Sequence, residues 1–296
     1  MRNQLSTVRK VIPLTAAALV AVAVASLLLA GCGDNEEKTI GTLTLRATDF
    51  AFDVQGGPKP GPIAITMPNQ GQYEHHAQFF RIGDGHTLDD LLAELEQLTD
   101  EDIALPEWAV WAGGPGILSP GETAELFVDF PAGHYAFLCL LEDPDGVPHA
   151  EKGMLGEITI EGDENTAPLP AADLEIAGED DGTGQSYAFG LPDSIGAGET
   201  VVEFRNDGTE LHEFQMARVP DDFTVEEVLG IFFEEVEPPE GFEYVALGGP
   251  QVMPPGDSTR ARVNFQPGRY VFICFVPNAE GVPHAALGMA AQLDVP

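Results

Sequence analysis

Two stretches of this chain are nearly the same text. Residues 113–154 align with residues 248–289 at a constant offset of 135, without a gap. "GGP" pairs with "GGP", "SPGET" with "PPGDS", "GHYAFLC" with "GRYVFIC" and "GVPHAEKGM" with "GVPHAALGM". Upstream, "GQYEHHAQFFRI" (71–82) pairs with "GTELHEFQMARV" (208–219) at an offset of 137, so one small length change lies between. This is a tandem duplication, and whatever fold serves one copy must serve the other. With 296 residues in all, there is chain enough for two domains with proper cores.

The local pattern inside each copy is that of strands. "AELFVDF", "YAFLCL", "RARVNF" and "YVFICF" alternate and are separated by Pro-Gly turns, and each copy begins with a strand pattern such as "TLTLRATDFAF" or "TVVEFRN". Short strands with regular turns predict an all-β chain of two tandem β-sandwiches. One helix interrupts each copy. Leu88, Leu91, Leu92 and Leu95 follow helical spacing after Thr87, and Val225, Val228, Leu229 and Phe232 do so after Thr224, where Glu227 is positioned for a capping box. These short helical insertions are expected to cover one end of each sandwich. The polar stretch 161–172, with two prolines and no periodicity, reads as the connection.

The first 31 residues belong to neither copy. Arg2, Arg9 and Lys10 precede an apolar run, 11–31, that ends in "LLLAGC". A basic start and an apolar body make an export signal, and small residues directly before a lone cysteine resemble a bacterial lipobox with Cys32 as the lipidated mature N-terminus. The plainer alternative is an uncleaved membrane anchor, since about 20 apolar residues can span a bilayer. Either reading places the remainder outside the cytoplasmic membrane and tethered to it. The expected division is therefore a signal peptide at 1–31, a tether at 32–40, domains at 41–162 and 173–296, and a linker at 163–172. Loss of the signal takes three of the 13 basic residues and none of the 49 acidic ones, leaving 10 against 49, a charge of −39. Nucleic acid and anionic lipid surfaces are disfavoured as partners by such a field. A solvated surface adapted to salt explains the charge more simply than steering of a cationic partner.

With Cys32 assigned to lipid, Cys139 and Cys274 remain, and in an oxidising compartment a disulfide is the default suspicion. Their settings argue otherwise, because they occupy equivalent positions in separate sandwiches. Each is followed by histidine and methionine in the spacing C-x9-H-x4-M: Cys139, His149 and Met154 in one copy, Cys274, His284 and Met289 in the other. Thiolate, imidazole and thioether form a soft set that suits copper, and two histidines, one cysteine and a weak axial methionine make a blue-copper electron-transfer site. In the second copy the missing histidine can only be His212, and the aligned position in the first is His75. His76 would point to the opposite face of a strand. Four of the seven histidines are thereby used, leaving His76, His86 and His134.

The order "His … Gly-x-Tyr-x-Phe-x-Cys … His-x4-Met", closed by a strand such as "GEITI", resembles the cupredoxin family of plastocyanin- and azurin-like blue-copper domains, over essentially all of residues 41–296. The resemblance implies a Greek-key sandwich in each copy. It also implies one or two copper ions, held by His75, Cys139, His149 and Met154 and by His212, Cys274, His284 and Met289. Electrons would pass at the edge of His149 or His284, beside the apolar Val147-Pro148 and Val282-Pro283, to a redox partner protein, cationic if charge selects it. The departure is the loop, with nine residues between cysteine and histidine where familiar members have two to four. Oxidases and nitrite reductases of the same family flank the cysteine with histidines. Here the flanks are Leu138 and Leu140, Ile273 and Phe275, so no catalytic copper cluster is expected and the chain reads as no enzyme. Copper storage or delivery, and a metal-free binding module, are the competing readings. Trp108 and Trp111 are expected in the core.

Overall fold

The computed structural model describes residues 39–99, 101–233, 238–239 and 241–296. The expected signal peptide, the tether up to residue 38 and Cys32 lie outside them, and among the described residues no helix is long and apolar enough to cross a membrane. In the first copy the chain forms β1 (Gly41–Thr48), β2 (Ala51–Gly56), β3 (Gly61–Pro68), β4 (Gln78–Ile82), α1 (Leu88–Leu95), β5 (Ala109–Trp111), β6 (Thr123–Phe130), β7 (Gly133–Leu138) and β8 (Leu155–Ile160). The second forms β9 (Leu174–Asp180), β10 (Tyr187–Gly190), β11 (Gly198–Asn206), β12 (Gln215–Val219), α2 (Val225–Phe233), β13 (Val245–Gly248), β14 (Ser258–Phe265), β15 (Gly268–Ile273) and β16 (Ala290–Val295). The fold is all-β, two sandwiches with one short helix each.

Alternation builds the inner core of each sandwich. Leu43 and Leu45 of β1 and Ile63 and Ile65 of β3 face Phe79, Tyr135 and Phe137 from the opposite sheet. Ile176, Val202 and Phe204 face Phe214, Tyr270 and Phe272 in the same way. The opposing sheets, ordered β5-β4-β7-β8 and β13-β12-β15-β16, are apolar on both faces. Phe80, Ile82, Ala136 and Leu138 turn away from the inner core and pack with Leu91 of α1. Val219, Val271 and Ile273 do so with Val225 and Val228 of α2. The helices thus lie on the outer faces of these sheets and not over the sandwich ends where the sequence had placed them. An outward row of large apolar side chains would otherwise meet water, at roughly 1.5–3 kcal/mol for each one left uncovered. Trp108 and Trp111 pack into the first of these outer clusters, Trp108 stacked on His86 with centroids 4.1 Å apart. Both helices begin with a capping box: Thr87 Oγ1 accepts from Asp90 N–H while the Asp90 carboxylate accepts from Thr87 N–H, and Thr224 and Glu227 repeat it.

The other two sheets join. The order β10-β9-β11-β14-β6-β3-β1-β2 makes one eight-stranded sheet across both copies. At its centre β6 and β14 pair antiparallel, with Ala261 opposite Leu126, Arg260 opposite Phe127 and Arg262 opposite Glu125. Leu126 and Ala261 are 135 residues apart, the repeat offset, so a pseudo-twofold axis passes between them. Three further pairs of contacts obey it. Gly113 N–H donates to Val252 O at 3.0 Å and Gly248 N–H to Ile117 O at 2.8 Å. Gly116 N–H donates to Gly249 O at 2.7 Å and Gln251 N–H to Gly114 O at 2.8 Å. Gln78 Oε1 accepts from Val252 N–H and Gln215 Oε1 from Ile117 N–H. The copies therefore meet as an isologous dimer meets, through one patch used twice. Gly249 is needed there: its φ is +109°, and a Cβ would lie 1.8 Å from Phe214 O. The connection between copies is fastened as well, Asn165 N–H donating to Pro60 O and Arg260 to Pro170 O.

Candidate metal centre

Each copy gathers two histidines and one cysteine at one end of its sandwich. His75 and His212 stand just before β4 and β12, held by backbone bridges to Leu118 and Met253. Cys139 and Cys274 directly follow β7 and β15. The nine residues after each cysteine fold back as a small hairpin. Asp143 N–H donates to Val147 O and His149 N–H to Leu141 O, while Asp143 Oδ1 accepts from Asp145 and Val147 N–H across the tip. Asn278 does the same for Glu280 and Val282, and His284 N–H donates to Val276 O. The loop length is thus absorbed before the histidine is reached. A single 3₁₀ turn follows, closed by Gly153 at φ +106° and Gly288 at φ +114°, and brings Met154 and Met289 beside the cysteine backbone. Met154 O accepts from Cys139 N–H and Met289 O from Cys274 N–H, and both methionines are wholly buried.

The donor atoms converge. In the first copy His75 Nδ1 and His149 Nδ1 are 3.1 Å apart, and Cys139 Sγ is 3.4 Å from His149 Nδ1 and 4.0 Å from His75 Nδ1. The point equidistant from three such atoms lies about 2.1 Å from each, the length of a metal–imidazole bond. In the second copy His212 Nδ1 and His284 Nδ1 are 3.2 Å apart, with Cys274 Sγ 3.6 Å from His284 Nδ1. All six side chains are buried.

Second partners decide which ring nitrogen carries the proton. His75 Nε2 faces Asp49 Oδ1 at 3.3 Å, and His212 Nε2 faces Asp180 Oδ2 at 3.2 Å. A carboxylate at Nε2 keeps the proton there and leaves Nδ1 a bare lone pair. Burial works to raise the Asp180 carboxyl, but hydrogen bonds from Thr209 and from the Thr209, Glu210 and Gly182 N–H groups outweigh it and hold it down at about 2. Asp49 is likewise below its ordinary value, as Gln72 and Tyr73 N–H outweigh burial. Burial lowers His75, His149 and His212 and takes His284 to about 3, so all four imidazoles are neutral at pH 7. It also raises both thiols, Cys139 to about 11. His75 and His212 thus present free Nδ1 lone pairs to the point that the second histidine and the thiol share. The donor set and its spacing fit copper or another soft divalent ion.

The surroundings differ between copies. His284 is stacked flat on Tyr187, centroids 3.8 Å apart, with the Glu210 carboxylate 3.4 Å from Nε2. His149 meets Phe50 edge-on at 5.0 Å and Tyr73 at 6.0 Å, and the Nε2 of each loop histidine lacks a hydrogen bond. The residue after the first histidine also has work. His76, turned away from the centre, accepts the Leu140 N–H at 2.7 Å, and Glu213 accepts the Phe275 N–H at 2.8 Å. Glu213 N–H in turn points to Cys274 Sγ at 3.5 Å. His134 lies apart, paired with Glu157.

No protein-family model matches the chain, and no curated protein matches it. Among solved structures it is similar to a dithionite-reduced auracyanin from the photosynthetic bacterium Roseiflexus castenholzii, at 22% identity over 41% of this chain and 98% of that one, TM-score 0.30. It is similar to a multicopper oxidase, at 17% identity over 86% and 88% of the two chains, TM-score 0.26. A copper nitrite reductase from Nitrosomonas europaea gives 18% identity over 86% and 93%, TM-score 0.25. Scores of this size add nothing to what the centre's own geometry says.

Proposed function

We propose that this chain is an extracytoplasmic electron carrier, tethered through Cys32, with a type 1 copper centre in each of two cupredoxin-like domains, 41–162 and 173–296. The observation that carries the reading is the convergence, in both copies, of two imidazole Nδ1 atoms and one thiol sulfur on a single buried point. His75, Cys139 and His149 would hold one ion and His212, Cys274 and His284 the other, with Met154 and Met289 as weak additional sulfur ligands. A bound copper supplies a one-electron couple. The protein's part is to hold three ligands rigidly, keep water out and fix the proton on Nε2 through Asp49 and Asp180. His149, beneath the half-exposed Tyr73, is the better placed of the two loop histidines to hand electrons to a partner protein. No substrate is turned over in this reading. The charge of the mature chain, 49 acidic residues against 10 basic ones, disfavours nucleic acid as a partner.

The test is direct. Cu(II) added to the purified chain is expected to give an intense blue colour with two ions bound. Cys139→Ser or Cys274→Ser should each remove one ion and half the colour, and the double substitution all of it. Colourless protein that takes up only Cu(I) would assign copper handling instead. No copper uptake at all would leave a metal-free module.

A further inference from the structure

The seam between the copies holds a partly open hollow of about 370 Å³, lined by neighbours of the proposed ligands but by none of the ligands themselves. Its walls are mostly apolar, with Ile117, Leu141, Met216, Ile273 and Phe275 among them. Such a hollow with a few convergent polar groups is the usual form of a small-molecule site.

The polar groups are specific. His76 Nε2 accepts the Leu140 N–H, so Nδ1 carries the ring proton and is a donor. That Nδ1 lies against the Gln251 side-chain amide, and as the amide is placed neither Nδ1 nor Gln251 Nε2 has an acceptor; His76 and Gln251 are 6% and 2% exposed. The two side chains together offer three N–H bonds to one oxygen. Donors are therefore in surplus whichever way the amide is turned. The carboxylates in the lining are already engaged. Glu213 accepts from Phe275 N–H and Gln215 Nε2, and Glu74 from Ser119 and Tyr244 hydroxyls.

An occupant must therefore bring an acceptor oxygen to His76 and Gln251 and an apolar body for the remaining walls. An anion is disfavoured, since Glu74 lines the same space. We infer that the seam cavity binds a neutral one-ring carbonyl compound, of the aryl ketone or quinone class, with its oxygen on the His76–Gln251 donors. Water satisfies donors of this kind but gains nothing from the apolar walls. The inference is independent of copper, because none of these groups is a proposed ligand.

Ligand-observed fluorine NMR on the full chain tests it, with 4-fluoroacetophenone as the probe and fluorobenzene as the analogue lacking the carbonyl. The ketone is expected to bind saturably and fluorobenzene at least about fivefold more weakly, one hydrogen bond's ordinary worth. Gln251→Leu should weaken the ketone by a similar factor and leave fluorobenzene unchanged. Ala246→Phe, which fills the cavity, should abolish both. Absence of saturable ketone binding would overturn the inference, as would equal binding of the two probes or indifference to Gln251→Leu. If Ala246→Phe does not fold, the probe comparison and Gln251→Leu still decide.

Discussion

A glycine decides whether Asp180 can reach His212. A Cβ on Gly208 would lie 2.1 Å from Asp180 Oδ2 and 2.5 Å from His212 Nε2, and one on Gly71 would lie 2.3 Å from Asp49 Oδ1 and 2.6 Å from His75 Nε2. Gly208→Ala is expected to part the carboxylate from the imidazole and weaken copper binding at the second centre about tenfold, as losses of such outer partners commonly do. Competitive copper titration of the Cys139→Ser background reads this centre alone. The thiols set the pH dependence. Burial holds Cys139 protonated up to about 11, whereas the imidazoles, lowered below 6.5, have no proton to lose at pH 7. Copper binding must then release the thiol proton, so affinity at this centre should rise about tenfold per pH unit from about pH 7 to 10 and level off above about 11. An affinity independent of pH from 7 to 9 would show that the thiol is already ionised. The eight candidate ligands are legible in the sequence because two copies repeat them at fixed offsets. Asp49 and Asp180 are not, since they lie 131 residues apart, off both repeat registers. Only the fold shows that they do one job.

At the scale of elements, the hairpin after each cysteine settles what spacing alone left open. Nine residues look too many for a compact metal loop when only their number is known, but four or five of them are spent on a turn built around Asp143 or Asn278. Asn278→Ala removes the acceptor that holds the tip together. The sandwich should still fold while His284 loosens, so that copper leaves the second centre several times faster, as stopped-flow transfer to a chelator would show. At α2, Thr224→Ala should cost about 1 kcal/mol of stability, the usual worth of an N-cap, with no effect on the blue absorption. Helix positions and their caps are readable because 3.6-residue spacing and Thr-x-x-Asp/Glu are local signals. The docking of those helices is not, because β4 and β7 bury both faces, and a strand apolar throughout does not say which layer covers which side.

For the whole molecule, the eight-stranded sheet ties the copies into one body. Thermal unfolding is expected as a single calorimetric transition. Gly249→Val, which forces a side chain against Phe214 O, should divide it into two while leaving both centres able to take copper. A single unchanged transition would mean that the seam contributes little. A chain with two free-standing domains would show two transitions from the outset. Sequence comparison reveals that there are two copies but not that they share a sheet, because β6 and β14 read as ordinary strands and pairing at a sheet edge leaves no periodic mark.

The pseudo-twofold axis has a historical reading. A dimer of identical chains must present every seam residue twice, and a hollow lying to one side of its axis must appear twice as well. Joining the halves in one polypeptide lifted that obligation. At matched positions there is now an imidazole on one side, His76, and a carboxylate on the other, Glu213, and Gln251 has Gly116 as its counterpart. A symmetric ancestor would have lined two such hollows alike. In the fused chain each is free to change by itself, and the two metal centres that flank the seam need no longer have the same neighbours.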